Sequence, residues 1–269
     1  MKISTTLKTA IIAACLTISA STTFAAWPGA GNGISNGQNA GINTALVSQI
    51  PATEPTQQER DGLIKMREEE KLARDVYIYL FNTWQNPVFA NISKSEQRHM
   101  DAIKILLDKY GLEDPVAGMN PGTFKSTEMQ ELYNNLIAKG SVSLKEAFQV
   151  GATIEDLDIK DLEELIGATD NEDILLIYQN LMKGSRNHMR AFATQLKNLG
   201  INYQAQFLSQ EEVDKIINSP WERGRVDKDG NRVSGPQGRS KRGRGFGAGM
   251  GHGMNFIDLN GDGVCDNLQ

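Results

Sequence analysis

The sequence predicts an all-α fold: an antiparallel four-helix bundle with a long crossover between its second and third helices and flexible N- and C-terminal extensions. Three observations carry this. Prolines are few through the middle of the 269-residue chain, so long helices are not interrupted. Apolar residues recur at three- and four-residue spacing along four long stretches, the signature of one buried helix face. Capping residues, prolines and glycines punctuate those stretches at the places where helices begin and end.

Taken in order, Met1–Ala25 reads as a secretory signal, with Lys2 and Lys8, an apolar run from Thr9 to Ile18, and a cleavage site at Thr23-Phe24-Ala25. A retained membrane helix is the competing reading, and the short, Thr- and Ser-interrupted run disfavours it. No transmembrane helix is therefore expected after signal removal, and the expected localisation is exported, periplasmic or extracellular. Ile12-Ala13-Ala14-Cys15 resembles a lipoprotein box, which makes anchoring at Cys15 a minor alternative. Only Cys265 follows the signal, so packing or metal rather than a disulfide must hold the mature chain. The net charge of −5 singles out no class of partner. Residues 26–55, rich in Gly, Asn, Ser and Ala, read as a flexible linker.

Residues 56–200 should form the bundle. The first helix opens at Thr56, with Glu59 completing a capping box, and runs to Trp84. Its seam is Leu63, Met66, Glu70, Ala73, Tyr77, Leu80 and Trp84; Glu68 and Glu69 are expected to face solvent. Asn86-Pro87 turns into the second helix, whose seam is Phe89, Ile92, Glu96, His99, Ile103, Leu106 and Tyr110. Gly111 ends it, and the crossover that follows carries an extra helix over Ser126–Lys139. Ser143 and Glu146 cap the third helix, which shows Phe148, Gly151, Glu155, Asp158, Leu162 and Leu165 on one face and turns Asp156 outward. Asp170 or Asn171 caps the fourth, whose inward face reads Ile174, Tyr178, Leu181, Ser185, His188, Phe192 and Leu199.

Each of these seams is broken near its midpoint by polar or ionisable residues: Glu70; Glu96 and His99; Glu155 and Asp158; Ser185 and His188. Helix midpoints share one level in an antiparallel bundle, so these groups can converge. Buried charges left alone cost several kcal/mol, so they need partners. A buried hydrogen-bond network, or a set of unrelated boundary residues, is the alternative to a metal site. Mixed carboxylate–imidazole sets suit iron, manganese or zinc and leave positions for small ligands.

This pattern resembles the ferritin-like superfamily of dimetal-carboxylate proteins. Glu70-Lys71-Leu72-Ala73-Arg74-Asp75-Val76-Tyr77, Ser95-Glu96-Gln97-Arg98-His99 and Ser185-Arg186-Asn187-His188-Met189-Arg190-Ala191-Phe192 resemble, within it, an exported bacterial and archaeal family known as a domain of unknown function. The resemblance implies two metals per chain, iron first with Mn or Zn as alternatives, and small reactants such as O2 or peroxide. It implies Glu96 as the bridging acid, His99 and His188 as imidazole ligands, and Glu70 and Glu155 as terminal ligands. Ser185 stands where the superfamily offers a second bridging Glu, and Asp158, one turn from Glu155, is the expected substitute. Tyr77 and Tyr178 are candidates to hydrogen-bond a ligand, or ordinary core aromatics. Two functions follow as expectations: a diiron oxidase or ferroxidase, and a non-catalytic metal-binding or surface-interaction module. An oligomer is compatible with either.

Residues 201–221 read as a short helical extension, with Ser209 and Glu212 as its capping box. Residues 222–254 read as a Gly/Arg-rich disordered tail; a basic stretch can touch nucleic acid, but in an exported chain a solvated tether is favoured. Residues 255–269 resemble a calcium loop, with Asp258, Asn260, Asp262 and Asp266 offering side-chain oxygens and Val264 its carbonyl. Position twelve is Gln269 rather than Glu, so the loop reads as a weak site or a plain Asp–Gly turn.

Overall fold

The computed structural model describes residues 53–233 together with Val47, Ile50 and Pro51. The signal, most of the linker, Cys265 and the calcium-like loop lie outside these residues. The described chain is all-helical apart from one small hairpin: α1 Gln57–Trp84, α2 Pro87–Lys109, α3 Thr127–Gly140, α4 Leu144–Gly167, α5 Glu172–Asn198 and α6 Gln210–Asn218, then β1 Arg225–Val226 and β2 Arg232–Val233. None of the helices among the described residues is long and apolar enough to cross a membrane.

Local sequence sets the helix ends. Thr56 and Glu59 form a reciprocal capping box on α1, a device that contributes about 1 kcal/mol. The helix stops where Gln85 turns left-handed, at φ 51°, and Asn86 caps α2 with Pro87 in its first turn. Ser143 accepts from the Glu146 amide at the start of α4, without the reciprocal Glu contact. Asn171 occupies the cap position of α5 but makes no side-chain cap; its amide group donates to the Thr53 carbonyl instead.

Helix α1 packs along α2 and α4 along α5, and the two pairs meet through α2 with α5 and α1 with α4. The predicted seams face inward: Leu63, Met66, Leu80, Ile92, Ile103 and Leu106 are fully enclosed, each contributing about 1.5–3 kcal/mol over exposure. Leu199 departs from its seam and is exposed, because α5 has already ended at Asn198, and Leu196 is the buried residue of that turn. Tyr77, Phe89, Phe148 and Phe192 form an aromatic cluster from all four long helices.

The crossover is pinned to α1 by buried ions. Lys71 reaches Asp75 (2.5 Å) and the carbonyls of Asn120 and Thr123, while Asp75 also accepts from the Gly122 amide. Arg67 holds Asp114 and the Met100 carbonyl. These anchors set α3 against α1 and α4.

Two expectations about the periphery are corrected. Asp156 does not face solvent: it is fully buried and accepts from the Tyr203 hydroxyl and the amides of Gln206, Phe207 and Leu208. The carboxylate thus satisfies backbone donors of a segment with no ladder of its own. The tail does not loosen at residue 222. Glu222 pairs with Arg186 and Arg190, Asn180 exchanges hydrogen bonds with Val226, and the β1–β2 hairpin docks on α5.

Candidate metal centre

Five buried ionisable side chains meet at mid-height of the four long helices: Glu70 from α1, Glu96 and His99 from α2, Glu155 from α4 and His188 from α5. The three-residue step from Glu96 to His99 puts both on one face of α2. Glu96 lies at the centre. Its Oε2 is 2.8 Å from His99 Nδ1 and its Oε1 is 2.9 Å from His188 Nδ1. Glu70 Oε2 approaches His99 Nδ1 at 3.2 Å, and Glu155 Oε2 approaches His188 Nδ1 at 3.4 Å. The imidazole rings stack, with centroids 5.4 Å apart. Two compact groups result, Glu70–Glu96–His99 and Glu96–Glu155–His188, which share Glu96.

These groups pair with one another and could also hold metal ions. Metal–ligand bonds of about 2.0–2.2 Å place neighbouring ligand atoms roughly 3.0–3.4 Å apart, and the four Nδ1–oxygen distances run from 2.8 to 3.4 Å. Hydrogen bonds can span similar distances, so direction decides. Both ring nitrogens of His188, Glu96 Oε1 and Glu70 Oε1 are buried without a properly directed hydrogen bond. Buried polar atoms seldom stay unpaired in a folded protein. Glu96 Oε1 and His188 Nδ1 lie 2.9 Å apart, so one cation held between them would satisfy both.

The electrostatics of the metal-free cluster follow. Burial pushes Glu70 up to about 8, and His99 only partly offsets it. Burial would also raise Glu96, but His188 and His99 outweigh it and hold this carboxyl far below the usual range. Burial lowers both imidazoles, yet Glu70 and Glu96 raise His99 well above its ordinary value, and Glu96 with Glu155 raises His188 to about 9. Glu155 is raised by burial and by Glu96.

The remaining sequence candidates divide. Tyr77 donates to Glu155 Oε1 at 2.5 Å. Tyr178 does not reach these carboxylates: its buried hydroxyl has no hydrogen-bond partner and lies beside Gly62. Asp158 belongs to neither group; it takes the Ser185 hydroxyl at 2.5 Å and is raised by burial and by Glu70 and Glu155. A cavity of about 30 Å³, room for one or two waters, touches Glu70, Glu96, Glu155 and Asp158 and is walled by Leu72, Leu132, Leu136 and Leu157.

Glu69 was missed. It was expected in solvent, but it lines that cavity and one of its oxygens is buried without a partner. Burial, then Asp161, raises it well above the usual range. The signal was a second heptad stripe, Gly62–Glu69–Val76, whose outer members are both buried.

Fold and site together define an all-helical protein whose core holds buried Glu/His groups able to take a metal ion. The chain belongs to the DUF2202 family, described as an uncharacterized protein domain, whose model matches residues 59–220. It is similar to the uncharacterized protein MJ0754 of Methanocaldococcus jannaschii, with 55% identity over 178 residues, 66% of this chain and 96% of the relative. The crystal structure of hypothetical protein MJ0754 from Methanococcus jannaschii matches with TM-score 0.63 and 55% identity, covering 65% of this chain and 99% of that one.

Proposed function

We propose that the protein is an exported, ferritin-like dimetal-carboxylate protein, with iron as its native metal and O2 or peroxide as reactant. The observation that carries this reading is Glu96, placed between two histidines and shared by two potential ligand groups. The connectivity supports it too: α1 and α2 are separated by two residues, α4 and α5 by four, and the long link from α2 to α4 carries α3. That is the order of an antiparallel four-helix bundle with one crossover. Glu70, Glu96 and His99 would hold one ion, and Glu96, Glu155 and His188 the other. Asp158, beside Ser185, is the candidate sixth ligand. Mn or Zn could occupy the same donors.

Bound iron would supply one-electron redox chemistry and Lewis acidity to a small oxidant. The chain's own part is to hold and shield. Tyr77 keeps Glu155 oriented through its hydrogen bond. The leucines around the cavity keep bulk water from the acids. The test is metal content and oxygen uptake of protein purified with and without added ferrous iron. Two iron per chain, lost in Glu96→Ala, with oxygen consumed on ferrous addition, supports an oxidase or ferroxidase.

A second reading, a non-catalytic metal-binding module, draws on the Ser185–Asp158 hydrogen bond, which occupies a carboxylate that an enzyme would use as a ligand. Metal bound without oxygen uptake favours it. The Asp258–Asp266 loop, outside the described residues, joins the proposal as a weak calcium site. Millimolar calcium should then protect residues 256–269 from proteolysis without shifting the melting of the helices, and an unchanged digest at 10 mM, about ten times the weak limit, leaves only a turn.

A further inference from the structure

We infer that Gly184 is the positioning residue for one half of the centre: with no side chain, it lets the His99 ring lie against the backbone of α5 and so fixes that imidazole for the Glu70–Glu96–His99 group. The inference rests on the metal-holding reading above. Glycine inside a long helix costs about 1 kcal/mol against alanine, so its presence at mid-α5 needs a packing reason. The structure supplies one. A Cβ at Gly184 would stand 2.4 Å from His99 Nε2 and 2.6 Å from Cε1, and the third nearest atom, at 3.8 Å, is also in that ring.

Non-bonded carbon contacts open at about 3.5 Å, so alanine would demand a shift of roughly 1 Å. The ring can retreat only by giving up the place where its Nδ1 faces Glu96 at 2.8 Å and Glu70 at 3.2 Å. The α5 backbone cannot retreat without carrying Ser185 and His188 with it. Ligand distances tolerate only about 0.2 Å, so the displaced imidazole loses its place as a donor. His188 lies one turn further along α5, so with the helix in place and the His99 ring displaced, the Glu96–Glu155–His188 group should survive. Gly184 itself offers no side-chain ligand atom; it acts through His99.

The experiment is cobalt(II) titration of metal-free wild type, Gly184→Ala, His99→Ala and the double variant, followed by calorimetry and visible absorption. Wild type should bind two cobalt. Gly184→Ala should bind one normally and the other at least tenfold more weakly, with the His99→Ala spectrum, and the double variant should lose nothing further. Two normal sites in Gly184→Ala overturn this inference while leaving the metal reading intact; no cobalt in wild type overturns that reading and this one with it. If Gly184→Ala folds poorly, thermal melts decide. Removing the ring relieves the clash, so Gly184→Ala should lower the melting point less in the His99→Ala background than in wild type, and an equal loss in both shows that the glycine is needed for some other contact.

Discussion

Glu96 has an imidazole against each carboxylate oxygen, and that pairing would make metal binding at this centre dependent on pH. In the metal-free protein burial raises Glu70 to about 8, while the neighbouring carboxylates raise His188 to about 9 and His99 above its ordinary value, so the cluster holds protons near pH 7. A metal ion must displace them. Binding should therefore release protons at pH 7 and tighten as pH rises toward 9; calorimetry in two buffers of different ionisation enthalpy reads the release, and none would contradict this ligand set. A second prediction separates two neighbouring acids. Asp156→Asn should destabilise the fold by about 1–3 kcal/mol, because an NH2 group replaces one of the two acceptor oxygens and faces buried donors, with metal content unchanged. Asp158→Asn should instead weaken metal binding by about tenfold with little change in melting.

The crossover helix stays in place through the ions beneath it. Lys71 and Asp75 are almost wholly buried, pair with each other and each bind the 120–123 segment. Removing one partner of a buried pair leaves the other uncompensated, at about 3–5 kcal/mol. Asp75→Ala should accordingly lower stability by that order and speed hydrogen exchange in α3 more than in α2; uniform exchange across both helices would show that the anchor is not local. At the other end, Glu222→Ala should free the segment just before β1 from Arg186 and Arg190, seen as earlier proteolysis near residue 222 without loss of helicity.

For the molecule as a whole, the metal-free core carries an excess of carboxylate that metal would offset. Glu70 has its pKa raised, so its stabilising contribution is present below its ordinary value of 4.5 and is lost as pH rises through about 8. His188, also raised, contributes below 6.5 and loses that contribution as pH rises through about 9. Glu96 is lowered, so its contribution is lost only as pH falls below the usual carboxylate range. The chelated protein should thus melt highest near pH 5 and progressively lower from about pH 5 to 9, while metal-loaded protein changes less. A pH-independent gap between the two, or no gap, would count against a shared centre.

Much of this could be read in one dimension. Helix periodicity, capping boxes and the interrupted seams of Glu70, Glu96, His99, Glu155 and His188 are local patterns, because a helix fixes which residues share a face within a few turns. What the sequence could not determine is which helix faces meet. Asp156 and Glu69 each sit beside a seam residue, and their burial depends on what another part of the chain lays over them: residues 203–208 for Asp156, and α3 and α4 around the cavity for Glu69. The ordered hairpin after Glu222 depends in the same way on acceptors and donors that α5 offers from far earlier in the chain. Gly184 has no side chain to read at all, and only the approach of α2 to α5 gives it a role. Periodicity sets the face of a helix; the packing of distant segments sets what that face touches.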